Sequence, residues 1–272
     1  MVDRRGLVSL LFRTIALSAV LLLTGQAAAS DSREAMAAMQ MPEGAWRVAA
    51  GAGVGLFPEY SGASTYRTLP LPFIDVAWGN RVRINPAQGV RLDVLPGRRW
   101  DGGPVIRYLG GRSARGAISD LDTVRGGAAA GAYLRYSLGP IQLRAEAVSP
   151  FTGDTSGTRV SFGANWRGLL GPRAFYAVGP SAVWDSSNRA DRLYGLSEAD
   201  ADLLGVAPHE AGSGVVSVRL SGTLVWMIDR NWSLTSFVLA GRLVDDAAAS
   251  PIVDDLGNRN QGLVGLIGLY RF

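Results

Sequence analysis

The chain has 272 residues, 47% of them hydrophobic and only 18% charged, with a formal charge of +4 and no cysteine. The missing cysteines exclude a disulfide framework and thiolate metal centres, and the low charge density suits a barrel whose outer face meets lipid better than a soluble domain. The basic balance carries no argument for a nucleic-acid partner. The first 29 residues hold Arg4, Arg5, Arg13 and Asp3, so their removal lowers the charge to +2, and no basic run is interleaved with aromatics.

Met1–Ala29 has a positive start, an apolar run over Ile15–Leu23, and small residues Ala27 and Ala29 at the −3 and −1 positions of a cleavage site. This is the three-part pattern of a secretory signal, and the apolar run falls short of the roughly 20 residues that span a bilayer as a helix. Residues 30–44 read as a flexible periplasmic segment, and 45–272 as the barrel.

The body of the chain alternates with period two. Val216, Val218, Leu220, Gly222, Leu224 and Trp226 form one face, with Ser217, Arg219, Ser221 and Thr223 on the other. Ile141–Ala147 and Arg159–Arg167 alternate in the same way. Successive side chains of a strand point to opposite sides, so each segment has an apolar and a polar face. The segments run to about 10–12 residues, as a tilted membrane strand requires. Trp46, Trp78, Trp166, Trp184, Trp226 and Trp232 fall at segment ends, where interfacial girdles lie. Val264, Leu266, Gly268, Tyr270 and Phe272 close the chain with a terminal aromatic strand, Tyr270 and Phe272 being the candidate signal for barrel-assembly machinery.

Short connections at Gly79-Asn80, Gly139-Pro140, Leu170-Gly171-Pro172 and Asp229-Arg230-Asn231 are built from tight-turn residues. Short turns of such barrels share the periplasmic side. They do so here if Arg81–Asn85 and Gln88–Leu95 are separate strands broken at Pro86. The expected fold is then an all-β, antiparallel up-and-down transmembrane barrel of twelve strands with both termini periplasmic. Ten strands is the alternative, set by the pairing of residues 81–103. The lumen-facing set includes Arg47, Arg91, Asp93, Arg135, Arg144, Glu146, Arg159, Arg167 and Arg219. Two readings stay open: the arginines pair with Glu146, Asp93 and loop carboxylates to fill the lumen, or they line a narrow, anion-leaning pore.

Several segments resemble a known family. Gly51–Ser64 leads to Tyr66-Arg67 and Pro70-Leu71-Pro72. Leu193–Ala201, Arg242–Val253, Gln261 and the closing Leu269-Tyr270-Arg271-Phe272 follow. Together these are similar to the MipA/OmpV outer-membrane proteins over essentially the whole mature chain. The resemblance implies a non-enzymatic barrel in the outer membrane of a Gram-negative cell, surrounded by lipids that include lipopolysaccharide. It implies a scaffolding role between a lytic transglycosylase and a murein synthase, with an adhesin-like or osmoregulated surface protein as the alternative. It carries no catalytic residue and no cofactor.

Other candidates are weaker. Gly51, Gly53 and Gly55 lie inside an alternating strand with no following helix, so they read as small residues facing a crowded lumen, not a dinucleotide loop. His209, the only histidine, sits in the longest loop and reads as solvated. The acidic clusters at Asp120/Asp122, Glu198/Asp200/Asp202, Asp245/Asp246 and Asp254/Asp255 lack the spacing of a calcium loop. Ser197-Glu198-Ala199-Asp200 resembles a capping box and predicts a short helix over Ser197–Leu204.

Overall fold

The computed structural model describes residues 45–272 apart from Pro96 and Arg98. The expected signal segment with Ala27 and Ala29, and the flexible stretch 30–44, lie outside the described residues.

Twelve antiparallel strands close into one barrel, each paired with its neighbours in sequence and the last with the first. They are β1 (Trp46–Pro58), β2 (Tyr66–Trp78), β3 (Val82–Asn85), β4 (Gly89–Leu92), β5 (Trp100–Leu109) and β6 (Gly127–Leu138), followed by β7 (Ile141–Pro150), β8 (Arg159–Leu169), β9 (Ala174–Asp185), β10 (Gly214–Met227), β11 (Trp232–Leu243) and β12 (Asn260–Arg271). The break at Pro86 is the one that turn parity requires, and the count is twelve, not ten. Closure covers most strand edges, the usual liability of a sheet, but the short β3 and β4 leave part of β2 and of β5 without a ladder partner among the described residues.

The register fixes which side chains share a face. Arg47 opposes Ala77, Gly53 opposes both Leu71 and Ile267, and Arg135 opposes Asp101 and Arg144. These positions face inward. The alternate set faces outward and is apolar and exposed, including Val54, Ile74, Ile106, Leu143, Phe162 and Leu220. An exposed belt of this composition is a surface for lipid. Among the described residues no helix is long and apolar enough to cross a membrane; the strands supply the span.

Six tryptophans, Trp46, Trp78, Trp100, Trp166, Trp226 and Trp232, ring the end that carries the short turns, all exposed. Trp46 packs at a tilt on Trp78 and Trp100 on Tyr136, and Tyr270 meets both Trp232 and Phe272 edge-on. Trp184 is the exception and lies at the opposite end, on β9. Indole rings at that level satisfy an apolar body and a polar N–H together.

Glycines let the inner wall pack. A side chain at Gly265 would collide with the Phe237 ring, and one at Gly55 with the Phe57 ring and Leu71. Aromatic rings thus cover bare backbone on the β11–β12–β1–β2 side of the lumen.

The largest buried cluster is not in the lumen. Tyr60, Ile118, Leu193, Tyr194, Ile252 and Val253, with neighbours from four loops, form a packed core at the end opposite the short turns. The helices α1 (Ser187–Tyr194), α2 (Glu198–Leu204), α3 (Asp245–Ala249) and α4 (Pro251–Asp254), with a short 3-10 turn over Gly116–Ile118, build this cap. The expected short helix is found at α2, with one half of the capping box: Ser197 accepts a hydrogen bond from the Asp200 N–H, and Gly205 ends the helix in the left-handed conformation. Val216 departs from its expected place on the outer face. A bulge between Val215 and Ser217 turns it inward, and it is buried in the cap.

Candidate functional site

The register places eleven arginines and five carboxylates on the inner face of the barrel. Four of those arginines reach carboxylates. Glu146 on β7 takes Arg91 on one oxygen at 2.7 Å and Arg107 on the other at 2.5 Å. Arg135 lies 3.4 Å from Asp93 and 3.8 Å from Asp101. Arg159 binds Asp185 through two nitrogens at 2.8 and 2.6 Å. The first two groups touch through Tyr133, which donates its hydroxyl to Asp93 and lies under the guanidinium groups of both Arg91 and Arg135. Carboxylate-bound guanidinium pairs with a ring beneath them form a rigid polar wall.

The remaining seven have no carboxylate among the described residues. Arg167 reaches only the Ser137 hydroxyl at 3.1 Å, and Arg219 only the Ser217 hydroxyl at 3.0 Å. Arg144 is exposed to water within the lumen and lies across bare backbone at Gly163, its Nε filling the place where a side chain there would begin. Arg47, Arg67, Arg83 and Arg271 complete the set. A low-dielectric wall around unneutralised guanidinium groups raises the local potential and attracts anions.

Thus Arg135, Glu146 and Arg159 join ion pairs, whereas Arg144, Arg167 and Arg219 stay without one. Sequence reasoning missed Arg107, which shares its face with Val105 and Leu109, and missed Asp185, the last inward position in the alternation Ser181, Val183, Asp185. Parity was the signal in both cases.

Asp185 also ties the barrel to the cap. It is fully buried, as is Arg189 on α1, whose Nε lies 3.5 Å from it. Arg189 further donates to the Thr155 hydroxyl and the Gly110 carbonyl, each at 3.1 Å. Burial, then the neighbouring Arg159 charge, pulls the Arg189 guanidinium down to about 10, which leaves it charged at neutral pH. The rest of the cap is laced by Tyr60 to the Ile252 carbonyl, Ser250 to the Tyr194 carbonyl, and Arg112 to the Gly195 carbonyl. His209 is half-buried, with Nε2 2.9 Å from the Asp246 carbonyl. No group of three or more potential metal ligands occurs among the described residues.

On the cap's rim, Arg125 holds Asp154 through paired contacts at 2.9 and 3.0 Å. The hydrogen bond from the Arg125 side chain, helped by its backbone N–H, keeps the Asp154 carboxyl down at about 2. A folded value below the unfolded one means that the contact is at full strength above the ordinary carboxylate range, near pH 4, and is lost as the pH falls towards 2. Loop 151–158 is therefore expected to stay in place on acidification from neutral to about pH 4 and to loosen only below it. Protease cleavage of the loop as a function of pH checks this, with Asp154→Asn expected to be loose throughout.

Two spaces flank these networks. One, about 670 Å³, lies under the cap and is lined by Arg67, Arg219, Leu239 and Leu263 among others. The other, about 1090 Å³, opens at the short-turn end beside Arg83, Arg91, Asp93, Asp101 and Arg135.

The family model described as MltA-interacting protein MipA matches residues 50–272. The chain belongs to the MipA family. No curated protein matches it. Among solved structures, an outer-membrane channel from Pseudomonas putida is 13% identical with a TM-score of 0.43, over 85% of this chain and 97% of that one. The NanC porin is 8% identical with a TM-score of 0.41, over 83% and 98%. The outer-membrane channel DcaP of Acinetobacter baumannii is 10% identical with a TM-score of 0.36, over 84% and 96%. This MipA-family chain, with its closed barrel and apolar outer belt, is an outer-membrane β-barrel protein.

Proposed function

We propose that this chain is a non-enzymatic outer-membrane scaffold, capped on the cell exterior and open towards the periplasm, that docks murein-processing enzymes at its short-turn end. The observation that carries the reading is the asymmetry of the two ends: a packed core of loop residues lies at one, and a cavity of about 1090 Å³ lined by both charge signs lies at the other. The family's printed description, an interaction with MltA, supports an enzyme partner. On this reading the chain is exported by a cleaved signal, folded by barrel-assembly machinery that reads Tyr270 and Phe272, and surrounded by outer-membrane lipids including lipopolysaccharide. Pull-down of tagged protein from cross-linked envelopes is expected to recover a lytic transglycosylase and a murein synthase. Recovery is expected to fall when Arg81→Glu and Arg83→Glu reverse charge at the open end. Repeated absence of murein enzymes would remove the scaffold reading.

A second reading, a narrow anion-leaning pore, is favoured by the seven inner arginines without carboxylates. Planar-bilayer recording separates the two. The scaffold reading expects a sealed barrel that conducts only when the cap is loosened. Steady anion current through the unmodified protein would favour the pore.

A further inference from the structure

The barrel wall is incomplete between β2 and β5. β3 and β4 are four residues each, and their turn at Pro86–Gln88 stops partway up the wall. β2 pairs with β3 only over Val76–Trp78, and β4 pairs with β5 only at Val90 and Arg91. From Tyr66 to Asp75 the outer edge of β2 has no ladder partner among the described residues. Above the β3–β4 turn, no strand is paired between β2 and β5 among the described residues.

The sequence prepares that edge. The Gly79 N–H donates to the Ala45 carbonyl and the Thr65 carbonyl accepts from Glu59, so odd-numbered residues of β2 point their backbone groups at β1. Even-numbered residues point into the opening, and two of them are Pro70 and Pro72. Proline removes the N–H that would otherwise stand bare, which is how natural edges avoid pairing. A free strand edge facing lipid is otherwise not tolerated unless it lines a cavity. The opening is roofed by loop 110–126, where Gly116 abuts the Glu59 and Thr65 side chains. It is flanked outside by exposed Ile74, Ile106 and Tyr108, and inside by Leu69, Leu71 and Phe73.

Behind it lies the 670 Å³ cavity under the cap, to whose lining both Arg67 of β2 and Tyr108 of β5 contribute. Four arginines and a single carboxylate, Glu59, line this space; Arg125 is already held by Asp154, and Glu59 is engaged by the Thr65 hydroxyl. Arg67 Nε is buried without a partner, and Arg219 reaches only Ser217. Phe57, Leu239, Leu243 and Leu263 supply an apolar side. The volume falls in the range of small-molecule sites, about 300–1,000 Å³.

We propose that this cavity binds a single-chain anionic amphiphile, drawn from the membrane leaflet at the cap end, the outer one in the proposed orientation, through the window between β2 and β5. Its acyl chain lies along the leucine side, and its acidic head meets Arg67 and Arg219. The window is at the level of the apolar belt, so the membrane is the source, and the guanidinium groups of Arg67 and Arg219, neither bound to a carboxylate, select for a negative head. A charge-assisted contact to a buried guanidinium is worth about a tenfold change in affinity.

Native mass spectrometry of the full barrel in an uncharged maltoside detergent tests the site, with palmitate, hexadecanol and inorganic phosphate as probes. One palmitate per barrel is expected to be retained, with neither hexadecanol nor phosphate held comparably. The Arg67→Ala/Arg219→Ala double variant, checked for folding by heat-modifiable gel mobility, is expected to lose at least about tenfold in palmitate occupancy. If the double variant does not fold, Arg67→Gln alone serves, with a smaller loss. Because the chain has no cysteine, Pro72→Cys can be modified with a bulky maleimide. That block is expected to slow palmitate uptake from phosphatidylcholine vesicles while leaving the final occupancy unchanged. Equal retention of hexadecanol, or palmitate held as well by the arginine variants, overturns the site. Uptake unaffected by the block overturns the window.

Discussion

Replacing Asp185 by alanine is expected to detach the cap while leaving the barrel closed. Asp185 ends β9, is fully buried, and neutralises Arg159 of β8 and Arg189 of α1 together. Removing it leaves two guanidinium groups without a counter-charge, one of them fully buried. Breaking a buried pair from one side costs about 3–5 kcal/mol. The loss falls on the cap, because the β8–β9 ladder continues from Val160–Trp184 to Leu169–Phe175 regardless. Limited proteolysis of protein in vesicles is the readout. Cleavage within residues 186–213 is expected in Asp185→Ala and not in the unmodified chain, with the folded gel mobility of the barrel retained in both. Asp185→Asn keeps the shape and part of the hydrogen bonding, so an intermediate rate is expected. A cap equally resistant in all three proteins would show that its apolar core holds it without the ion pairs.

The second large effect is expected at Glu146. It accepts from Arg91 and Arg107 with one oxygen each, and its side chain is 10% exposed. Glu146→Ala strands both cations on the inner wall. The expected loss is about 3 kcal/mol, the low end for a buried pair, because Arg107 still reaches water at 29% exposure. Urea unfolding from lipid vesicles measures it. The informative variant is Glu146→Ala combined with Arg107→Ala, which removes one stranded charge. It is expected to be more stable than Glu146→Ala alone, the signature of coupled neighbours in a mutant cycle. Simple additivity would mean that the pairs contribute little.

Much of the barrel is legible in the residue pattern, because a strand's period of two leaves little freedom. The alternation Ser217, Arg219, Ser221, Thr223 assigns β10's inner face directly, and the short turns at Gly79, Gly139 and Gly171 fix parity. Even the break at Pro86 follows from turn sides alone. The cap is another matter. α1 and α4 are eight and four residues long, too short for a helical period to stand out from a loop. Their apolar residues are buried against other loops, not along one face. Ser197 marks α2 because a capping box is a local signal, and α1, α3 and α4 carry no comparable side-chain cap. Val216 is misread for a related reason: a bulge shifts parity by one residue, and nothing in the local sequence announces it. The inner arginines are readable as a set, but not which of them find partners. That depends on which carboxylate the closed barrel brings across, as Glu146 meets Arg91 from three strands away. The window leaves a trace in Pro70 and Pro72, whose meaning emerges only once β3 and β4 are seen to stop short.

In the proposed orientation the loop cap faces the cell exterior and the short-turn end, with its cavity, faces the periplasm. Single-cysteine labelling in cells tests it most directly, since the chain has no cysteine of its own. Asp202→Cys on the exposed face of α2 is predicted to react with a membrane-impermeant maleimide in intact cells. Asp101→Cys, beside the open cavity, is predicted to react only after the outer membrane is permeabilised. The reverse pattern, or labelling of Asp101→Cys in intact cells, would contradict the account.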